Sequence, residues 1–84
     1  MAERSRTIGK LTPRMLAQSR VIAKGNRIRD VQRLVTTYGG RHSTWVKKSS
    51  PPFDQAGESF EYHWYEHPGI GRVEERLVTI KAQT

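Results

Sequence analysis

The chain has 84 residues, enough for one domain near the lower size limit of a self-sufficient apolar core. It carries 15 Lys and Arg against 8 Asp and Glu, a formal net charge of +7, and no cysteine. Disulfides and thiolate metal sites are thereby excluded, and no apolar run approaches the ~18–20 residues of a membrane span. The charge is uneven: residues 1–50 hold twelve bases against Glu3 and Asp30, whereas residues 51–84 hold three against six acids. That asymmetry favours a polyanionic partner, either nucleic acid or an acidic protein.

Residues 1–10 are polar and basic without an apolar stretch, so they read as a flexible arm and not as a secretory signal. Residues 11–84 read as a single domain. Thr12-Pro13 supplies a helix cap followed by proline at the first helical position. Met15, Leu16, Ser19, Ile22 and Ala23 then line one helical face, with Gly25 as the stop. Asn26 caps a second predicted helix. In it Ile28, Val31, Leu34, Val35 and Tyr38 fall on one face, Tyr38 counts as core, and Gly39-Gly40 ends it.

After the glycines the period changes to that of strands. Thr44 to Ser50 is strand-like and closes at Pro51-Pro52, and residues 53–58 read as a loop. From Ser59 to Glu66 the alternation is clean: Phe60, Tyr62 and Trp64 point one way, and Glu61, His63 and Tyr65 the other. His67 to Gly71 reads as a plain hairpin connection to a last strand over Arg72 to Lys81. There Val78 and Ile80 oppose Val73 and Leu77 in parity, which calls for a bulge. The expected architecture is α+β, two N-terminal helices packed on a three- to four-stranded antiparallel meander. The Phe60, Tyr62 and Trp64 face is expected to meet the helices, leaving Glu61, His63 and Tyr65 open.

His63-Trp64-Tyr65-Glu66-His67 matches the H-x-x-E-H zinc signature as a string, but that chemistry needs helical spacing. In a strand the two histidines lie about 13 Å apart, and no third ligand is evident, so no metal or cofactor is expected. Metal-free RNA cleavage needs a base for the ribose 2′-OH, an acid for the leaving oxygen, and cations around the phosphate. Histidine as a residue type serves either proton-transfer role near neutral pH. His63, mid-strand on the open face, is the leading candidate and His67 the second. Of Lys47 and Lys48 only one can join His63; Lys47 with Ser49 is favoured, Lys48 being the alternative. Arg72 and Arg76 offer phosphate contacts or pair with Glu74 and Glu75. Tyr65 offers a stacking platform for a base, with Tyr38 a distant second.

The segments TYGGRHSTWVKKSS (37–50) and FEYHWYEHPGIGRVEERLV (60–78) together resemble the small C-terminal toxin domains of bacterial polymorphic and contact-dependent inhibition systems. The resemblance covers roughly residues 28–80, and the overall layout is similar to the barnase/EndoU/colicin/RelE-like ribonuclease superfold. It implies a metal-independent ribonuclease toxin, with tRNA as one implied target. It also implies neutralisation by a cognate immunity protein, expected to be acidic, and action in the cytoplasm of a target cell after delivery within a larger secreted effector. Carried onto this chain, it supports Lys47, Ser49, His63 and Glu66 as site positions without assigning roles. Two other readings compete: a non-catalytic nucleic-acid-binding module using basic helices as a phosphate grip, and a basic domain that docks an acidic partner.

Overall fold

Thr12 opens the first helix as expected, its Oγ1 accepting the Met15 N–H at 3.1 Å with Pro13 at the first helical position. The computed structural model describes residues 11–80, so the arm over residues 1–10 and the end of the last strand lie outside the described residues. Helix α1 (Pro13–Ala17) is a single short turn and does not reach Gly25. The Ser19 hydroxyl donates to the Leu16 carbonyl at 2.8 Å, a side-chain competitor for the helical ladder. Arg20–Lys24 instead forms strand β1, pairing antiparallel with the Lys47–Lys48 region. Two adjacent β-branched residues, Val21 and Ile22, favour that outcome once a partner strand is present.

A 3-10 turn at Gly25–Arg27 leads to helix α2 (Val31–Tyr38), shorter than expected but with the expected face: Ile28, Val31 and Leu34 are buried. The remaining strands are β2 (Val46–Ser49), β3 (Phe53–Gln55), β4 (Glu58–His67) and β5 (Gly71–Ile80). All lie in one five-stranded antiparallel sheet, in which β4 pairs with β2, β3 and β5. The fold is therefore α+β, but it is not two helices followed by a simple meander. β2 and β3 occupy one side of β4 end to end, interrupted by Pro51-Pro52, which lack ladder donors. Residues 53–58 are thus a hairpin and not a loop, turning at Ala56 and Gly57 with φ of 53° and 82°.

The expected bulge in β5 is present. His63 pairs with Arg76 and Tyr65 with Val73, so β5 carries one extra residue opposite Trp64. The shift brings Val73 onto the face of Val78 and Ile80. Glu74 sits in the bulge at φ 57°, held by Arg33 at 2.8 and 2.9 Å and by the Tyr38 hydroxyl at 2.9 Å.

The face assignment is corrected. Helix α2 packs on the face of Tyr65, whose ring joins Ile28, Val31, Leu34 and Trp45 in the core, with Ala23, Val35 and Val73 at its margin. Tyr65 is 6% exposed and is not an open stacking platform. Tyr62 and Trp64 are buried on the other face, where Phe53 stacks on Tyr62 at 5.4 Å between ring centroids. Tyr38 is also corrected: it is exposed, and its ring touches Trp45 only at the helix end, 6.0 Å between centroids.

Helix length decides what remains open. Eight residues of α2 span about 12 Å, whereas the ten of β4 span about 33 Å. The helix covers the Tyr65 end and leaves the His63 end uncovered by α2. Trp45 and Lys47 therefore share one face without conflict: Trp45 lies in the core, and Lys47 stands half-buried with Nζ 5.9 Å from the Tyr65 ring centroid.

Candidate nucleic-acid interface and proton-transfer site

Cross-strand register brings Lys47 opposite Tyr65, Ser49 opposite His63, and Arg76 opposite His63 from the other side. Directly opposed residues in an antiparallel pair share a face. Lys47, Ser49, His63 and Arg76 therefore stand on the same side of the sheet, as does Glu61. The sequence-derived set divides at this point. Lys48, Glu66 and Arg72 lie on the opposite face, where Glu66 holds Lys48 Nζ at 3.5 Å and accepts from Trp64 Nε1 at 3.0 Å. Arg72 pairs with Glu75 at 3.0 Å, while Arg76 has no ion pair among the described residues.

His67 shares the parity of His63 but lies about 13 Å along the strand, at the covered end. Its Nδ1 accepts the Gly69 N–H at 3.0 Å and its ring packs on Trp45 at 5.3 Å between centroids. The structure does not bring His67 to His63. It accounts for Gly40 instead: a Cβ there, on a backbone at φ +83°, would stand 2.6 Å from Nε2 of His67.

Around His63 a polar network closes. His63 Nε2 lies 2.9 Å from Oε1 of Glu61, which also accepts from Ser49 Oγ at 3.0 Å. Arg20 of β1 reaches Oε2 of the same carboxylate at 3.4 Å. Burial pushes the Glu61 carboxyl up, but hydrogen bonds from His63, Ser49 and Arg20, with the Arg20 charge, outweigh it and hold it below its ordinary value. A carboxylate can only accept, so Nε2 of neutral His63 carries the proton and Nδ1 is the free base. Nδ1 has no hydrogen bond among the described residues. His63 and Glu61 are 17% and 16% exposed at the side chain and Ser49 is buried, so the network is largely shielded and Ser49 serves it as a hydrogen-bond donor and not as an exposed substrate contact.

A cleft of about 450 Å³ has walls that carry Arg27, Arg29, Lys47 and Arg76; it shares Lys47 and Arg76 with the His63 face, while His63, Glu61 and Ser49 do not line it. Ile22, Ala23 and Ile28 give it an apolar portion, and Asp30 and Tyr65 complete it. Burial, and then the Asp30 charge, raise the Tyr65 phenol above its ordinary value, which keeps it a neutral donor toward Asp30 at 3.4 Å. Glu61 was legible from the alternation, two positions before His63, yet only as an open-face residue. Arg20, Arg27, Arg29 and Asp30 reach this face because residues 20–24 form an edge strand, which the helical reading of that segment hid. Among the described residues no three His, Cys, Asp or Glu side chains group as metal ligands, and no helix is long and apolar enough to cross a membrane. No protein-family model, curated protein or solved structure matches the chain.

Proposed function

We propose that this chain is a metal-independent endoribonuclease that acts as a toxin. The observation that carries the reading is the Glu61-held imidazole of His63, on one sheet face with Lys47 and with Arg76, which has no ion pair among the described residues. In the proposed step Nδ1 of His63 takes the ribose 2′-OH proton as the 2′-oxygen attacks phosphorus. The P–O5′ bond breaks, and the leaving oxygen takes a proton from the Lys47 ammonium. The products are a 2′,3′-cyclic phosphate and a 5′-hydroxyl. Lys47 and Arg76 also offset the phosphate charge as it crowds, and Glu61 stabilises the imidazolium that forms.

The resemblance of residues 28–80 to delivered toxin domains supports a setting for this activity. The domain acts on RNA, tRNA included, in a recipient cell after delivery within a longer effector. It is held inactive in its producer by an acidic immunity protein seated on the cationic face. The alternative is a non-catalytic nucleic-acid-binding module. It is favoured by the four cleft cations, none of which has an ion-pair partner among the described residues. The grip would then come from the cleft and not from the helices, since Arg33 of α2 is bound to Glu74.

Incubation with total RNA in EDTA, followed by mapping of end chemistry, separates the two readings. New 2′,3′-cyclic ends that vanish in His63→Ala support the ribonuclease. Salt-sensitive binding without new ends supports the binding module.

A further inference from the structure

The cleft that shares Lys47 and Arg76 with the His63 face has features that the cleavage step leaves unused. Asp30 stands at the N-cap of α2, where a carboxylate ordinarily accepts a first-turn N–H, yet its side chain makes no capping bond. Its Oδ2 has only long contacts, 3.5 Å to Arg33 and 3.4 Å to the Tyr65 hydroxyl, and its Oδ1 accepts no hydrogen bond among the described residues. Asp30, 47% exposed at the side chain, lines the cleft together with the cationic groups and an apolar portion formed by Ile22, Ala23 and Ile28.

We infer that this cleft binds one unpaired nucleotide of a single-stranded RNA, with its phosphate on the cations and an amino-bearing base edge at Asp30. The proposal rests on the ribonuclease reading for the identity of the polymer. A volume of about 450 Å³ suits one small polar ligand with an aromatic body. A paired base cannot enter, because an A-form duplex keeps its bases stacked and offers only groove edges and backbone. Base identity follows from the carboxylate. Adenine, cytosine and guanine each present an exocyclic amino group that Asp30 can accept from. Uracil has none, and its single imide N–H lies between two carbonyls that a carboxylate repels. The cleft therefore takes an unpaired A, C or G and disfavours U.

Calorimetric titration of the full chain with AMP, CMP, GMP, UMP and inorganic phosphate at low salt tests this without any cleavable bond. AMP, CMP and GMP are expected to bind about tenfold tighter than UMP or phosphate, the difference one charge-assisted hydrogen bond makes. Arg27→Ala/Arg29→Ala, at two exposed positions, should weaken all four nucleotides about tenfold or more. Asp30→Asn should shrink the gap between UMP and the others. AMP, CMP and GMP binding no tighter than inorganic phosphate would overturn the proposal, as would UMP binding as tightly as the other three or an RNA duplex competing as well as a single strand. Nucleotide binding by a chain that makes no new RNA ends would leave this inference standing and remove the ribonuclease reading. Cleavage without nucleotide binding would do the reverse.

Discussion

Oε1 of Glu61 holds Nε2 of His63 at 2.9 Å, two positions along one face of β4. The pair sets the imidazole tautomer, and in the proposed step Nδ1 takes the substrate proton. His63→Ala is expected to lower RNA cleavage by about a hundredfold or more, as loss of a proton-transfer group does. Glu61→Gln should lower kcat by about tenfold with little change in KM, because it disturbs the imidazolium and not the phosphate grip. Circular dichroism and single-turnover cleavage of an RNA oligonucleotide check both. A folded His63→Ala with full activity would remove this residue from the mechanism.

Arg27, Arg29, Lys47 and Arg76 predict the salt dependence of binding. An RNA single strand whose bound nucleotide and flanking phosphates together meet these four cations is expected to give a slope of log K against log salt near −3, at roughly −0.7 per phosphate neutralised. Removing Arg27 and Arg29 together should bring the slope to about half that value. Fluorescence anisotropy with a labelled, His63→Ala-protected complex measures it. An unchanged slope would place the polyanion on another surface.

Gly40 and His67 tie the end of α2 to the end of β4. Gly40→Ala combines a left-handed backbone with a Cβ 2.6 Å from the imidazole, so a loss on the order of 1–3 kcal/mol of stability is expected. Gly40→Ala/His67→Ala should recover the steric part while keeping the backbone part. Urea unfolding of the two variants, with His67→Ala as reference, checks the coupling. Strictly additive effects would show that the contact is not the cause.

Glu74 gives a pH signature. The hydrogen bonds from Arg33, with Tyr38 and the Arg33 charge added, outweigh burial and hold its carboxyl at about 2, below an ordinary value of 4.5. A depressed folded value contributes stability above the unfolded value and loses it as pH falls through the folded one. Wild-type stability should therefore decline between about pH 4.5 and 2, and Glu74→Gln should decline less over that window. Thermal melts across this range are the measurement. Parallel curves for the two proteins would show that the Arg33–Glu74 contact carries no folding linkage.

An acidic inhibitor seated on the face of Lys47, His63 and Arg76 should associate faster at low ionic strength, since opposite charges steer encounter. Stopped-flow mixing with the product of an adjacent open reading frame reads the rate. Indifference to salt between low and physiological concentration would point to inhibition away from this face.

Local patterns determined a good deal of this protein. The Thr12-Pro13 cap, the apolar spacing of α2 and its Gly39-Gly40 stop are short-range features, and the structure keeps them. The alternation of β4 grouped Glu61 with His63, and the parity conflict in β5 announced its bulge, because a two-residue period is carried by neighbours alone. Tertiary packing decided the rest. β4 is aromatic on both faces, so alternation separates Trp64 from Tyr65 without saying which one meets a helix; the reach of α2 and the burial of Trp45 chose Tyr65. Residues 20–24 carry helical spacing and β-branched residues at once, and only the partner β2 resolves them into a strand. That single pairing sets Arg20 on Glu61 and brings the cleft wall of Arg27, Arg29 and Asp30 to Lys47 and Arg76, a placement no local period encodes.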